Sequence, residues 1–409
     1  MRRDGSLKRT VAFKWGVVVL MWTYSGFHFL KTGVVFALGN FMGDMLYNFP
    51  APVIATWANR SSVFFESQSS ALFGSFQTPM WSYGPLFNVV TLPLLFLGPL
   101  QDGYRIWLFV NQAFLAAACW LLYRVTMPSR AGMGPLALFG LMVLNYYPFY
   151  EALIQRNIEI FEFFLVVGAM AAYAKHREAT AGVLIGLATM TKFLPGMFVP
   201  YFALKRRWRA FWAALLTLGS IAVLTQLTLG WQHSTLLAQL RTGSYLPYHL
   251  NQAVSGAVLR LARAIGCDRY GAIGSQACMA ILAVLFGRFM WSIRSSEHWK
   301  LEWSLVAIAM IMLPPHNQNY YLIFLLIPYA VLLGEVIANP WEGWSWKLLL
   351  ATSWVLTAWP IPLSLLHQAF GVTVEQLLAL SINLWGITML VGMLVKRLSE
   401  SAGTPRSSL

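Results

Sequence analysis

The run Ala181-Gly182-Val183-Leu184-Ile185-Gly186-Leu187-Ala188-Thr189-Met190-Thr191-Lys192-Phe193-Leu194-Pro195 decides how this chain lies across a membrane. It sits between two basic clusters, Lys175-His176-Arg177 and Lys205-Arg206-Arg207-x-Arg209. Basic loops stay on the cytoplasmic side. One continuous helix over 180–204 would put the second cluster on the face opposite the first. Two short helices turning near Lys192 and Pro195 keep both clusters on one face. Pro195 disfavours helix at the residue before it, which suits a turn. Each half then has about 12 residues, against the roughly 20 of a full span. Such helices need burial in protein or a thinned bilayer. The expectation is two short helices.

The remaining chain is made of similar apolar runs. Of its 409 residues 58% are hydrophobic and 11% are charged, where a soluble domain carries about 25% charged residues. Mean hydropathy is +0.59. The runs are continuously apolar, not alternating, which excludes a transmembrane β-barrel. The fold class is therefore read as all-α, a polytopic integral membrane helical bundle. It is predicted to have about 12 transmembrane helices, two of them short, with long external loops.

Further basic clusters occur at the N-terminus, at Arg124 to Arg130, at Arg288 to Lys300 and at Lys396-Arg397. Placing all of them in the cytoplasm sets the spans. They fall at about 14–36, 105–123, 132–148, 157–174, 208–229, 276–294, 301–314, 319–338, 346–366 and 375–396, besides the two short helices. Both termini are then cytoplasmic, and residues 1–398 form one membrane domain. Segments 37–104 and 230–275 are long external loops, and 399–409 is a polar tail expected to be disordered. Residues 85–100, with three prolines, read as a helix along the outer surface that lines a groove for a lipid tail or simply covers the membrane. The opening basic stretch and its apolar run read as an uncleaved signal anchor.

The net charge of +14 is read as cytoplasmic loop charge and contact with anionic membrane lipids, not as a nucleic-acid surface. Cys119, Cys267 and Cys278 form no metal pattern and are read as free thiols. No metal site or cofactor is expected. Asn59-Arg60-Ser61 matches a glycosylation sequon, which one tripeptide does by chance.

Acidic residues number only 15. Asp44, just beyond the first span, is thus a functional candidate, because acids at the mouth of a membrane bundle are costly and usually functional. Under the predicted topology five external elements meet there: Gly43 to Tyr47, Trp81 to Leu86, Tyr150 to Asn157, the Lys192 turn, and Pro314 to Tyr321.

These elements resemble the GT-C class of membrane glycosyltransferases, and most closely the bacterial polyprenol-phosphate-mannose-dependent α-mannosyltransferases of glycosyltransferase family 87. The resemblance covers about residues 40–335. Its pieces are an Asp followed by Tyr in the first external loop, the aromatic-Tyr-x-Pro-Leu segment Trp81 to Leu86, and the turn Gln155-Arg156-Asn157. They continue with the glycine- and alanine-rich run ending in Lys192 and Pro195, the Asn251-Gln252-Ala253-Val254-Ser255 segment, and the Pro-x-His/Asn-x-x-Tyr turn at 315–320. Ile154 stands where the family usually has Gly, and Arg156 replaces an apolar residue. The resemblance implies transfer of a sugar, mannose in the family, from a polyprenyl-phosphate donor to a lipid or glycan acceptor. It implies an active site on the extracytoplasmic face of a bacterial inner membrane, and inversion at the anomeric carbon. A transporter or flippase of polyprenyl-linked glycans is the rival reading. No inverted repeat is seen, and the polar groups cluster at one surface and not at the bilayer midplane.

An inverting displacement needs one base on the acceptor hydroxyl, unlike the two carboxylates of glycosidases. Asp44 is the candidate base and Glu66 the runner-up. Lys192 is a candidate for the donor phosphate, with snorkelling to the interface as its competing role. His316 and Arg156 are alternatives or helpers. Gln155 and Asn157 can orient sugar hydroxyls, and Asn157 can instead cap the following helix. Glu159 can serve the site, while Glu162 is expected to pair with a basic partner inside the bundle. Tyr47, Trp81 and Tyr83 can stack on a sugar or anchor at the interface. Asn319 joins the sugar- and acceptor-binding set.

Overall fold

The computed structural model describes residues 3–39, 100–128, 132–229, 251–294, 298–339, 343–358 and 379–403, with the single positions 86, 90, 371 and 376. Asp44, Tyr47, Glu66, Trp81 and Tyr83 lie outside the described residues. All described regular elements are helices. Helix α1 (Arg3–His28) continues through a π-helical stretch, Phe29–Phe36, to a last turn at Ala37–Gly39. Then follow α2 (Leu100–Thr126), α3 (Met133–Leu144), α4 (Tyr147–Ile154), α5 (Glu159–Ala174) and α6 (Glu178–Thr191). After a 3-10 turn at Leu194–Met197 come α7 (Phe198–Leu204), α8 (Trp208–Leu229), α9 (Val254–Ala264), α10 (Asp268–Ser292) and α11 (Trp299–Met312). A second 3-10 segment, Asn319–Leu325, leads into α12 (Leu326–Ala338), followed by α13 (Trp344–Ala358) and α14 (Ile382–Gly403).

The break expected near Lys192 is present. Helix α6 ends there because the Lys192 backbone is extended (φ −156°, ψ 138°). Pro195, in the first turn of the 3-10 segment, starts the return. Both arms come back to the same end, since Arg207 after α7 reaches Glu178, the first residue of α6, at 3.0 Å. Three described helices are long and apolar enough to cross a bilayer: Arg105–Thr126, Asp268–Ser292 and Asn319–Ala338. Helices α3 and α4, bent by 53°, make a fourth if taken as one broken span. The expected count of twelve is therefore met only in part by this criterion. Helices α6 and α7 are apolar but short, and α5 carries two acids in its first turn.

Small residues let these short helices approach closely, as membrane bundles require in the absence of a hydrophobic drive between helices. A Cβ on Gly182 of α6 would lie 2.1 Å from the Ala210 carbonyl oxygen of α8. A Cβ on Gly334 of α12 would lie 2.3 Å from the Thr126 carbonyl oxygen at the end of α2. Polar side chains then tie the apolar helices together. The Tyr329 hydroxyl of α12 lies 2.9 Å from Ser353 Oγ and 2.7 Å from Thr357 Oγ1 of α13. Ser353 in turn donates to the Gly386 carbonyl of α14 at 2.7 Å.

One end of the bundle collects basic residues. Lys205 is paired with Glu302 at 2.7 Å, and the Tyr201 hydroxyl donates to the same carboxylate at 2.9 Å. Arg397 meets Glu335 at 3.5 Å and covers the Trp346 ring at 4.7 Å. The other end holds Lys192, Glu159 and the start of α14. Cys119, Cys267 and Cys278 are free thiols.

Gly182→Val is expected to destabilise the protein by about 2 kcal/mol or more, because it overpacks an interface with no slack. Gly219→Ala in α8, where a Cβ meets nothing within 4 Å, is expected to leave the midpoint unchanged. Thermal unfolding in detergent followed by fluorescence checks both, and equal midpoints would refute the close approach.

Candidate active site

The site is assembled from helix ends. Helix α4 ends at Gln155, and the chain then turns through Arg156, whose φ is +53°. A side chain in that left-handed region costs energy unless neighbours fix it. Here they do. The Trp107 indole N–H of α2 donates to the Arg156 carbonyl at 3.0 Å, and Asn111 Nδ2 donates to the Asn157 carbonyl at 3.3 Å. Arg156 is 1% exposed, and its guanidinium donates to the Ala37 carbonyl at 2.5 Å. It thus holds the end of the first helical segment, five positions before Asp44.

Helix α5 begins directly after this turn, with Glu159 and Glu162 in its first turn. Acids there complement the partial positive charge of a helix N-terminus. The cap position of that helix is Ile158, which gives no side-chain cap bond. The Asn157 amide Nδ2 donates to Gln155 Oε1 at 3.4 Å. Lys192 does not snorkel to solvent either. It is 6% exposed, its ammonium donates to the Glu159 carboxylate, and it lies 4.0 Å from the centre of the Tyr321 ring. The Tyr320 ring is 5.8 Å away. Two carboxylates therefore stand near one ammonium, but only Glu159 bonds it. The expectation of a basic partner for Glu162 is not met. Its two oxygens accept no hydrogen bond among the described residues.

The 313–318 loop supplies the next wall. Asn251 Oδ1 accepts from the Asn317 backbone N–H at 3.1 Å, and Asn251 Nδ2 donates to the Pro315 carbonyl at 3.2 Å. Ser255 donates to the same Pro315 carbonyl, and the Gln252 N–H donates to the Asn317 carbonyl at 2.6 Å. Arg260 of α9 secures this clamp by donating to the Asn251 carbonyl at 2.7 Å and to Ser381 Oγ at 2.6 Å. The loop so held presents His316, with Nε2 3.3 Å from Gln318 Nε2. Burial, and then the Lys192 ammonium, push the His316 imidazole down to about 4 from its ordinary value of 6.5. It is a neutral hydrogen-bonding group at physiological pH, not a cation.

A chain of amides completes the arrangement. Asn383 of α14 donates to Asn319 Oδ1 at 2.9 Å, and Asn319 Nδ2 donates to Glu151 Oε2 at 2.6 Å. The other Glu151 oxygen lies 3.4 Å from Gln155 Nε2. So Gln155, Asn157, Glu159, Lys192, His316 and Asn319 gather at one end of the bundle, with Arg156 buried behind them. Glu151, Tyr321, Asn251, Arg260 and Asn383 hold this end together and had no role assigned from sequence. Glu151 was the most findable of them, being one of few acids and lying in a segment already placed at the site. No group of three or more His, Cys, Asp or Glu side chains among the described residues is arranged to hold a metal.

An all-helical bundle with a cluster of carboxylate, amide, ammonium and aromatic groups at one end is compatible with the membrane glycosyltransferase class, and the family match assigns it. Residues 81–315 match the profile of glycosyltransferase family 87, and the chain belongs to that family. A curated relative, the polyprenol-phosphate-mannose-dependent alpha-(1-2)-phosphatidylinositol mannoside mannosyltransferase of Mycobacterium tuberculosis (strain ATCC 25618 / H37Rv), is 29% identical over 245 residues. The match covers 56% of this chain and 53% of that relative, so the chain spans about half of the relative's length. No solved structure matches the chain.

Two expectations follow. Glu159→Gln or Lys192→Met alone leaves one buried charge without its partner and should cost about 3–5 kcal/mol of stability. The double variant should recover most of that loss in detergent unfolding, and full additivity would argue against the pair. For His316, an unfolded chain takes up a proton below 6.5 but the folded protein only near 4. Stability from this group is thus complete above 6.5 and declines as pH falls toward 4. His316→Asn should flatten the pH dependence of unfolding over that window, and an unchanged slope would assign it elsewhere.

Proposed function

We propose that this protein transfers a sugar, mannose, from a polyprenyl-phosphate donor to a hydroxyl of a lipid or glycan acceptor on the extracytoplasmic face of a bacterial inner membrane. The observation that carries this reading is the separation of the two ends of the bundle. Basic clusters occupy one end, and the amide-rich cluster around Lys192 and Glu151 occupies the other. Cationic loops favour the cytoplasmic side, which supports reading the cluster as extracytoplasmic, where a lipid-linked donor replaces nucleotide sugars. Family membership and the donor named for the mycobacterial relative support the same chemistry.

The step is a single in-line displacement. The acceptor oxygen bonds to the anomeric carbon, the bond from that carbon to the phosphate oxygen breaks, and the acceptor proton passes to Asp44. Polyprenyl phosphate leaves, and the anomeric configuration inverts. The leaving group gains negative charge as the bond breaks, so preorganised positive dipoles and charges favour the transition state. In this reading Lys192 supplies that field from behind its bond to Glu159, buried Arg156 adds to it, and neutral His316 donates an N–H. Gln155, Asn157, Glu159 and Asn319, with Tyr47, Trp81 and Tyr83 from the first external loop, orient the sugar and acceptor.

The test is purified protein with polyprenyl-phosphate-mannose and a lipid acceptor extract. Transfer with an inverted anomeric centre is expected, and Asp44→Asn should lower kcat about 10²-fold or more. Retention of configuration, direct use of a nucleotide sugar, or full activity of Asp44→Asn would each overturn the assignment.

A further inference from the structure

A groove of about 590 Å³ opens between α1, α3, α12 and α13, and none of the candidate site residues lines it. Its walls are apolar, with Met21, Leu138, Leu333 and Leu350 among them, and Lys347 is the charged residue among the described residues that line it. Lys347 lies in the first turn of α13, at the basic end. Its neighbour Trp346 is covered by Arg397 at 4.7 Å and by Lys396 at 5.4 Å. Arg397 reaches Glu335, near the end of α12 away from Asn319. At the groove's other extremity Asn145 donates to Ser25 Oγ at 2.8 Å.

The dimensions fit one leaflet. The groove follows α12 from Val336 to Tyr329, about 10 Å of helical rise. Half of a bilayer's hydrocarbon core is about 15 Å, so a groove of this length that opens at the basic end fits within one leaflet. Trp344 and Trp346 beside Lys347 are residues that settle at headgroup depth.

We propose that this groove is a binding site for an anionic phospholipid of the leaflet on the basic side, with one acyl chain against the apolar walls and the headgroup phosphate at Lys347. The volume is that of a small-molecule site. The apolar walls suit a hydrocarbon chain, and the single cation at the mouth selects a negative headgroup. The inference rests on the groove, on Lys347 and on the membrane class of the protein, and a polyprenyl phosphate is the competing occupant that the experiment tests.

The experiment uses the full chain in nanodiscs of equimolar phosphatidylglycerol and phosphatidylcholine, released for native mass spectrometry. Wild-type protein should retain phosphatidylglycerol over phosphatidylcholine by about fivefold, the worth of one lysine near an anionic surface. Lys347→Gln should keep a bound lipid and lose that preference. Ala351 lines the groove and is exposed, so Ala351→Phe and Ala351→Trp should fold and reduce the retained lipid in order of size. Equal retention of the two lipids by wild type, an unchanged preference in Lys347→Gln, full retention in both Ala351 variants, or displacement of phosphatidylglycerol by added polyprenyl phosphate would overturn the proposal.

Discussion

The arrangement depends on one buried ion pair. Lys192 and Glu159 belong to neighbouring antiparallel helices and meet where both helices end. In a low dielectric neither charge is tolerated alone, and each fixes the position of the other. The pair therefore sets where α6 must stop. The chain reverses just beyond it, at the extended Lys192 backbone and Pro195. The short return through Pro195 and α7, the placement of Tyr321 over the ammonium, and the seating of α5 against α6 all follow from this constraint. Close glycine contacts between α6 and α8 then make the hairpin rigid enough to hold the pair.

A second level of order is built from amides. Asn251 bonds the backbone on both sides of His316, and Arg260 bonds Asn251. Asn319 links Glu151 to Asn383. These contacts join loops far apart in sequence. Glu162 accepts no hydrogen bond among the described residues. Burying a carboxyl in that way costs free energy, and it lies one turn from the pair that orders this end.

Much of this was legible in the sequence. The conflict between the basic clusters at 175–177 and 205–209, together with Pro195, was enough to place the reversal at Lys192. The segments around Gln155, Lys192, Asn251 and His316 were recognisable as motifs, and the structure brings them to one end. What the sequence did not disclose were partnerships. Nothing local in Glu159 marks it as the partner of a lysine 33 positions later. Helical spacing suggested a basic partner for Glu162, but the ammonium in reach is already bonded. Asn157 has the composition of a helix cap, yet the turn at Arg156 directs its amide elsewhere. Such pairings are set by tertiary contacts, which a single sequence does not encode locally. The count of spans was likewise hard to read, since short helices buried in protein do not carry the length signature of a lipid-exposed one.

The link from Glu151 through Asn319 to Asn383 has a consequence for biosynthesis. Its three members are separated by 168 and then 64 positions along the chain. During translation the first two emerge and enter the membrane well before the third is made. Until α14 inserts, Asn319 Oδ1 lacks the Asn383 donor that fixes the amide with its Nδ2 toward Glu151. This amide link is thus completed late, by insertion of the last described helix, and a ribosome-bound intermediate has the reversal at Lys192 without it.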